Sequence, residues 1–370
     1  MRGLLVPSAL AALMLGLSPA LASAEEKPLT ILFTGDNGGE VGPCGCKHVP
    51  TGGLARRKSL VESTRKNGPA LVVDSGNALF QHTGVPVDGS TQHRARFILK
   101  AMGQMGTVAM AVGPRDLIAG PGWLKKEAEK AGVPLLSTNL VDAKGTLLFA
   151  PSKVVEIEGK KVALIGVSPE GPVGKDAGVK GNPGASAVRA EARKLRSKAD
   201  IVVVLAALPY AESLQLAQQL GGSVDFILQS HESRGTGSAQ KVEGSFLMPS
   251  GDRGRQVGRL VLDLSGKGAF VDSGELKRDL KTLEILDGQI VEVKRRIAAA
   301  KDADTKAPLE KTLKAFEARK NQIASRASTG DKGPAGRTMN LDFVALDPSF
   351  GKGDPTLAAE AQRIDPTGGH

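Results

Sequence analysis

The segment Ile201-Val202-Val203-Val204-Leu205 is apolar at every position. Such a run is typical of a strand that is buried on both faces of a sheet. Other short aliphatic or β-branched runs are predicted as strands, and amphipathic segments between them are predicted as helices. Strands that alternate with helices indicate an α/β architecture. The other predicted strands are residues 29–33, 70–73, 107–111, 135–137, 153–157, 162–167, 226–229, 245–248 and 259–263, and the predicted helices are residues 53–67, 92–105, 122–131, 186–197 and 211–220.

Residues 155–166 are predicted to form a β-hairpin. Apolar runs lie on either side of the turn sequence Glu158-Gly159-Lys160-Lys161. A short turn of this kind joins antiparallel neighbours, whereas parallel neighbours need a longer crossover. The sheets are therefore expected to be mixed and not purely parallel.

Residues 276–327 differ in character from the preceding chain. They are rich in charge, contain only one glycine (Gly288), and carry apolar residues at heptad-like spacing. Residues 301–308 lie between two apolar stripes and contain Asp302, Asp304 and Pro308, which favour a turn and a helix start. The segment is therefore predicted as an antiparallel helical hairpin. One stripe is Leu276, Leu280, Leu283, Ile290 and Ile297, the other is Leu309, Leu313, Phe316 and Ile323, and the charged residues Asp287, Lys294 and Lys320 interrupt them.

The first 24 residues have the layout of a secretory signal peptide. Arg2 precedes an apolar stretch at residues 4–17, and Ala22-Ser23-Ala24 forms a small-x-small cleavage site. A membrane anchor, the alternative, needs about 20 continuous apolar residues, but Pro7 and Pro19 interrupt this run. We expect export to the periplasm or the outside, with no membrane span in the mature form.

The whole chain is divided by these features into four parts. Residues 1–24 are the predicted signal peptide, and residues 25–275 form the α/β domain. Residues 276–328 form the helical hairpin, and residues 329–370 are predicted as a linker with a short strand at 340–346 and a tail punctuated by proline and glycine.

The net charge of +10 raises the question of a nucleic-acid partner. The 49 basic residues are scattered among 39 acidic ones, and one Trp and one Tyr provide little surface for base stacking. A nucleic-acid partner is therefore not expected. The partner is expected to be a protein or a small ligand, whose identity the sequence does not define.

Polar residues follow the apolar strands at the positions where α/β proteins place their chemistry. The order of these segments and their flanking sequence resemble the metallophosphoesterase domain of bacterial 5′-nucleotidases and UDP-sugar hydrolases, in the calcineurin-like superfamily. The resemblance covers roughly residues 29–264, and it implies a two-sheet sandwich flanked by helices. The polar segments are residues 34–38, 74–77, 113–116, 206–209 and 230–233, and the flanking matches are Gly-Gly-Leu-Ala-Arg-Arg at 52–57, Ser-Thr-Asn-Leu at 137–140, Ala-Asp at 199–200 and Val-Asp-Phe-Ile-Leu at 224–228.

The resemblance also implies two adjacent divalent cations that polarise a phosphate and activate water. Carboxylates and imidazoles must hold such a pair. The family's first motif is Asp-x-His, and this chain keeps Asp36 but has Gly38 for the His. The second is Asp-x-Gly-Asp, whose last Asp bridges the metals. Here Asp74 is kept and Asn77 replaces the bridging acid.

The remaining three motifs depart from the family's pattern as well. In the third, Gly-Asn-His followed by an acid, Pro114 and Arg115 replace the Asn and the His, and Asp116 is kept. In the fourth, Ala207 stands near the position of a His. In the fifth, Gly-His-x-His, one imidazole remains, that of His231.

The surviving candidate metal ligands are therefore Asp36 and His231, with Asn77 as a poor third. Two dications would lack compensating negative charge there, and Arg115 would add repulsion. We expect a non-catalytic binding or scaffold protein with a vestigial site. An alternative is a residual phosphoesterase that uses one divalent metal on these three ligands. A third possibility is that the helical hairpin is the working part and the α/β domain its platform.

The chain's two cysteines are Cys44 and Cys46, followed by His48. The stretch resembles the Pro-Cys-Gly-Cys segment of a subgroup of these exported proteins. Three interpretations stay open for it: a strained disulfide or thiols with a local structural role, a soft metal bound together with His48, and a redox or partner contact.

Overall fold

The computed structural model describes residues 27–44, 49–174, 178–231, 238–329 and 337–366. The predicted signal peptide lies outside these ranges, as do Cys46 and His48. Among the helices of the described ranges, none combines the length and the apolar character that crossing a bilayer would need.

The described residues form sixteen strands and eight α-helices. The predicted strands and helices are all present, with ends that differ from the prediction by up to four residues. The strands are β1 Leu29–Thr34, β2 Ala70–Asp74, β3 Thr107–Ala111, β4 Leu135–Leu136, β5 Leu140–Val141, β6 Ser152–Ile157, β7 Lys160–Val167, β8 Gly171–Pro172, β9 Lys180–Gly181, β10 Ile201–Pro209, β11 Phe226–His231, β12 Gln240–Val242, β13 Ser245–Met248, β14 Gln256–Asp263, β15 Val271–Asp272 and β16 Thr338–Ala345. The helices are α1 Leu54–Asn67, α2 Gly89–Gln104, α3 Pro121–Ala131, α4 Gly184–Leu195, α5 Tyr210–Leu220, α6 Glu275–Ala299, α7 Ala303–Thr329 and α8 Pro355–Ile364.

Two mixed sheets form the centre of the α/β domain. One has the strand order β15-β16-β14-β1-β2-β3-β4, and the other has the order β12-β13-β11-β10-β7-β6. Strands β1 to β4 are parallel to one another, as are β7, β10, β11 and β13. Strands β6 and β7 form the predicted antiparallel hairpin. The carboxyl ends of the parallel strands therefore meet at one edge of each sheet.

Three apolar layers hold the sandwich together. The layer between the two sheets contains Phe33, Val203 and Phe226, all fully buried. A second layer lies between the seven-stranded sheet and helices α1, α2, α3 and α8. A third lies between the six-stranded sheet and helices α4 and α5. The predicted two-sheet sandwich flanked by helices is confirmed.

The residues that follow the helical hairpin carry more structure than the predicted linker and tail. Strand β16 pairs with β14 over eight residues, from Gln256↔Ala345 to Asp263↔Thr338, inside the seven-stranded sheet. Helix α8 buries Leu357 and Ala361 in the same core as α1 and α2. An ion pair of 2.8 Å between Lys58 and Asp354 joins α1 to the start of α8. Residues 338–366 are thus part of the α/β domain.

Helices α6 and α7 form the predicted antiparallel hairpin. Ion pairs cross it between Asp287 and Lys320 and, at 3.0 Å, between Lys294 and Glu317. The charged residues that interrupt the predicted stripes therefore pair with each other or with a neighbour. The turn is shorter than predicted, because α7 already begins at residue 303 and contains Pro308.

The buried face of this hairpin differs from the predicted stripe. Leu280 is 57% exposed, although the heptad spacing placed it on the seam. Leu286 and Val293, which the spacing did not select, are buried together with Ile290 and with Ile323 of α7. Helix α6 therefore presents a face that is rotated relative to the one the spacing indicates.

Candidate active site

The carboxyl ends of β1, β2, β3, β10 and β11 converge at one edge of the sandwich. The Ser230 hydroxyl at the end of β11 donates a 2.7 Å hydrogen bond to the Gly76 carbonyl after β2. A Cβ at Gly76 would lie 3.1 Å from the Cβ of Ala207 in β10. The structure thus brings Asp36, Asp74, Asn77, Arg115 and Asp116 to this edge, with Ala207 and Ser230 from the second sheet.

Asp36 forms an ion pair with Arg115. Asp36 follows β1 and Arg115 lies in a short 3₁₀ helix after β3, and their side chains are only 12% and 15% exposed. Arg115 Nη1 also donates to the Gln81 carbonyl at 3.0 Å. Burial lowers the pKa of Arg115, while the charges of Asp116 and Asp252 raise it, and a guanidinium stays charged in proteins. The Asp36 carboxylate is therefore already neutralised by the protein itself.

Gly38 borders the guanidinium of Arg115. A Cβ at Gly38 would lie 3.4 Å from Arg115 Nη1. The backbone there has φ +59°, a region that glycine adopts at little cost. The space next to position 38, where the family has a His, is thus occupied by the guanidinium.

The side-chain amide of Asn77 both donates and accepts a hydrogen bond. Its Nδ2 donates to Ser230 Oγ at 3.3 Å, and its Oδ1 accepts the backbone N–H of Arg115 at 3.3 Å. Gly113 permits this arrangement, because a Cβ there would lie 2.3 Å from Asn77 Oδ1. The Ser230 hydroxyl donates its hydrogen bond to the Gly76 carbonyl, so it can only accept one from position 77. An ionised acid at position 77 has no proton to donate and could not make this contact.

Asp74 is buried beneath the loop after β1. Thr34 Oγ1 donates to it at 2.6 Å and the Gly76 N–H at 2.8 Å. Burial raises the pKa of Asp74, whereas the Thr34 hydrogen bond and the nearby charge of Arg57 lower it. One oxygen of this carboxylate therefore accepts a hydrogen bond from β1, and the other accepts one from the turn after β2.

Arg57 provides a second buried positive charge near the site. Its side chain lies in α1 and donates from Nη2 to Asn37 Oδ1 at 2.6 Å. Burial lowers the pKa of Arg57, and the charge of Asp74 raises it. Arg57 lies in a segment that matches the family, but the sequence predicts no role for it. Its partner Asn37 is twenty positions away, and no local pattern shows that the two residues meet.

Asp116 connects the loops after β2 and β3. Its Oδ1 accepts the N–H groups of Ala78 and Leu79 at 2.8 and 3.1 Å, and its Oδ2 accepts those of Asn77 and Gly113 at 2.7 and 2.9 Å. Burial raises the pKa of Asp116 to about 6, against the lowering effect of these donors. The side chain is fully buried, and its hydrogen bonds position Asn77.

The remaining predicted site residues are only partly described. His231 ends β11, next to Ser230, but its side chain lies outside the description. Cys44 Sγ accepts the Thr51 N–H at 3.3 Å. The interpretations that involve Cys46 and His48 fall outside the described residues and stay predictions.

The metal pair that this fold implies does not fit the described residues. Within the described ranges, no group of three or more His, Cys, Asp and Glu side chains is arranged to hold a metal ion. Asp36 is held by a guanidinium, and Asp74 and Asp116 accept hydrogen bonds from the loops. Asn77 is neutral.

Sequence comparisons relate part of the chain to 5′-nucleotidases. A 5′-nucleotidase of Vibrio cholerae is 30% identical over 183 residues, which are 46% of this chain and 32% of that protein. Protein UshA of Yersinia enterocolitica is 32% identical over 167 residues, 42% of this chain and 29% of that protein. The matched regions thus span about a third of these relatives' length. No protein-family model matches the chain.

Solved structures share the fold. The 5′-nucleotidase precursor from Thermus thermophilus superposes with a TM-score of 0.61 at 19% identity, over 91% of this chain and 58% of that one. The calcineurin-like phosphoesterase YfkN from Bacillus subtilis gives 0.53 at 17% identity, over 64% of this chain and 85% of that one. The chain therefore has a calcineurin-like metallophosphoesterase fold. In sequence, part of the chain is similar to 5′-nucleotidases.

Proposed function

We propose that this chain is an exported 5′-nucleotidase-like protein with a degenerate metal site. It acts as a binding or scaffold protein and not as a phosphatase. The observation that carries the proposal is the ion pair between Asp36 and Arg115 at the position of the first metal motif. A carboxylate whose charge is already offset by a neighbouring guanidinium binds a cation more weakly than a free carboxylate does.

The charge balance of the cleft, meaning the site that Asp36, Asn77 and Arg115 form at the strand ends, supports this proposal. Hydrolysis in this fold class needs cations that polarise the phosphate and lower the pKa of the attacking water. Two adjacent dications carry four positive charges, which carboxylates must offset. In this chain Asn77 contributes no charge and Arg115 adds a positive one. Binding of a second dication would therefore be opposed by repulsion at close range.

Export rests on residues 1–24, whose layout is that of a signal peptide. The name of the Thermus thermophilus relative, a precursor, is in keeping with a processed family member. The proposed location is the periplasm or the outside. The partner is a protein or a small ligand that binds in the cleft or at the helical hairpin.

A residual phosphoesterase with a single metal on Asp36, Asn77 and His231 is the second candidate. It is favoured by the position of His231 at the end of β11, adjacent to Ser230, whose hydroxyl contacts Asn77. It would hydrolyse a generic phosphate ester with one divalent ion, and the substitution Asp36→Ala would abolish that activity.

A phosphatase screen separates the two candidates. The protein would be assayed with p-nitrophenyl phosphate, a phosphodiester, 5′-AMP and UDP-glucose, in the presence of Mn²⁺, Zn²⁺, Mg²⁺ or Ca²⁺. We expect rates that match those of the Asp36→Ala variant, because neither protein can activate water. Metal-dependent turnover that the Asp36→Ala substitution removes would refute the non-catalytic proposal and establish the alternative.

A further inference from the structure

We infer that Arg115 is a built-in counter-cation of this cleft. Its guanidinium supplies to Asp36 the positive charge that a bound metal would otherwise provide, so the loops at the site edge fold without an ion. Arg115 has this stabilising role whether or not the protein hydrolyses a substrate.

The contacts of Arg115 connect three loops. Asp36 follows β1, Gln81 lies in the segment after β2, and Arg115 itself follows β3. The ion pair and the 3.0 Å hydrogen bond from Nη1 to the Gln81 carbonyl therefore tie all three together. Because the pair is largely buried, salt screens it less than a surface pair. Removing one partner alone leaves an uncompensated charge, which is strongly destabilising.

The residues that depart from the family's pattern contact one another. The guanidinium lies beside Gly38, 3.4 Å from the position that a Cβ would take. The amide of Asn77 accepts the Arg115 backbone N–H and donates to Ser230. Loss of metal ligands at random would not require such contacts. These three positions therefore form one alternative arrangement around a guanidinium.

The rim of the cleft shows the same use of arginine as a counter-ion. Arg253 Nε donates to Glu40 Oε1 at 2.8 Å, and the Arg253 backbone N–H donates to the Asp36 carbonyl at 3.0 Å. Arg255 lies 3.8 Å from Asp252. The acids Asp36 and Glu40 are thus each paired with an arginine of the chain itself.

A double-mutant cycle tests the inference. Asp36→Asn, Arg115→Met and the double variant would be unfolded with urea at neutral pH. We expect each single variant to be destabilised and the double variant to be at least tenfold more stable, in the unfolding equilibrium constant, than additivity predicts. Arg115→Lys keeps the charge and should recover part of the loss. Additive effects, or no loss in Arg115→Met, would overturn the inference.

A matched control is the exposed pair Arg259–Asp342, which joins β14 and β16 with side chains about 40% exposed. Arg259→Met should change the unfolding constant much less than Arg115→Met, because exposed pairs contribute little. An equal effect of the two substitutions would contradict a special role for Arg115.

The response to metal gives an independent readout. The melting temperature of the wild-type protein should not change with EDTA or with millimolar Mn²⁺. A wild-type protein that EDTA destabilises, or that Mn²⁺ stabilises, would overturn the inference. The phosphatase screen is separate, so either proposal can fail alone.

Discussion

Replacing Asp116 by asparagine should lower the free energy of unfolding by about 3 kcal/mol, because at least one buried N–H loses its acceptor and faces an NH₂ group. The carboxylate accepts four backbone N–H groups, from Asn77, Ala78, Leu79 and Gly113. An amide has a single acceptor oxygen. Chemical denaturation of the purified variant, monitored by circular dichroism, measures the loss.

A control for this substitution is Asp252→Asn. Asp252 is close to the same site, but its side chain is 36% exposed and pairs with Arg255 at 3.8 Å. We expect a change within about 0.5 kcal/mol, as for other surface substitutions. Equal stabilities of Asp116→Asn and the wild type would show that the carboxylate does not hold the two loops together.

Replacing Gly166 by alanine should cost about 3 kcal/mol, at the upper end of the range for overpacking. Gly166 lies in β7, where the two sheets approach each other backbone to backbone. An added Cβ would lie 2.3 Å from the Leu136 carbonyl oxygen and 2.4 Å from its carbon. The Gly166 carbonyl also accepts the Thr138 N–H at 2.8 Å. Either β4 or β7 must therefore move.

Gly288→Ala is the matched control. Gly288 lies inside α6, and no atom would lie within 4 Å of an added Cβ. The substitution should stabilise the protein by about 0.5–1 kcal/mol, because alanine has the higher helix propensity. Thermal unfolding of both variants compares them directly. If Gly166→Ala melted at or above the wild-type temperature, the close contact between the sheets would be refuted.

The fold was largely predictable because its strands are marked by apolar runs such as residues 201–205. The helix of the tail was not predicted, since Pro348, Gly351, Gly353 and Pro355 surround it and only its packing on α1 and α2 shows its role. The two-residue strands carry no periodic pattern at all. The predicted hairpin face is wrong at Leu280, because the heptad spacing does not show which side of α6 packs against α7.

The candidate site was predictable as a set of residues but not as a set of contacts. The motifs placed Asp36, Asn77 and Arg115 at strand ends that the sheet order brings together. The ion pair of Asp36 with Arg115 joins residues 79 positions apart. The Arg115 guanidinium also lies next to Gly38 and donates to the Gln81 carbonyl. No local pattern encodes these contacts, so the sequence indicated only that Arg115 would repel a metal.

The metal content of the protein tests the central claim, that this cleft is neutralised by its own arginine and holds no pair of dications. The protein would be purified without chelators, and its Mn, Fe, Zn and Ca content would be measured by elemental analysis alongside the Asp36→Ala variant. We expect less than one metal ion per chain, at the same level in the wild type and in Asp36→Ala. Two ions per chain in the wild type, lost in Asp36→Ala, would contradict it.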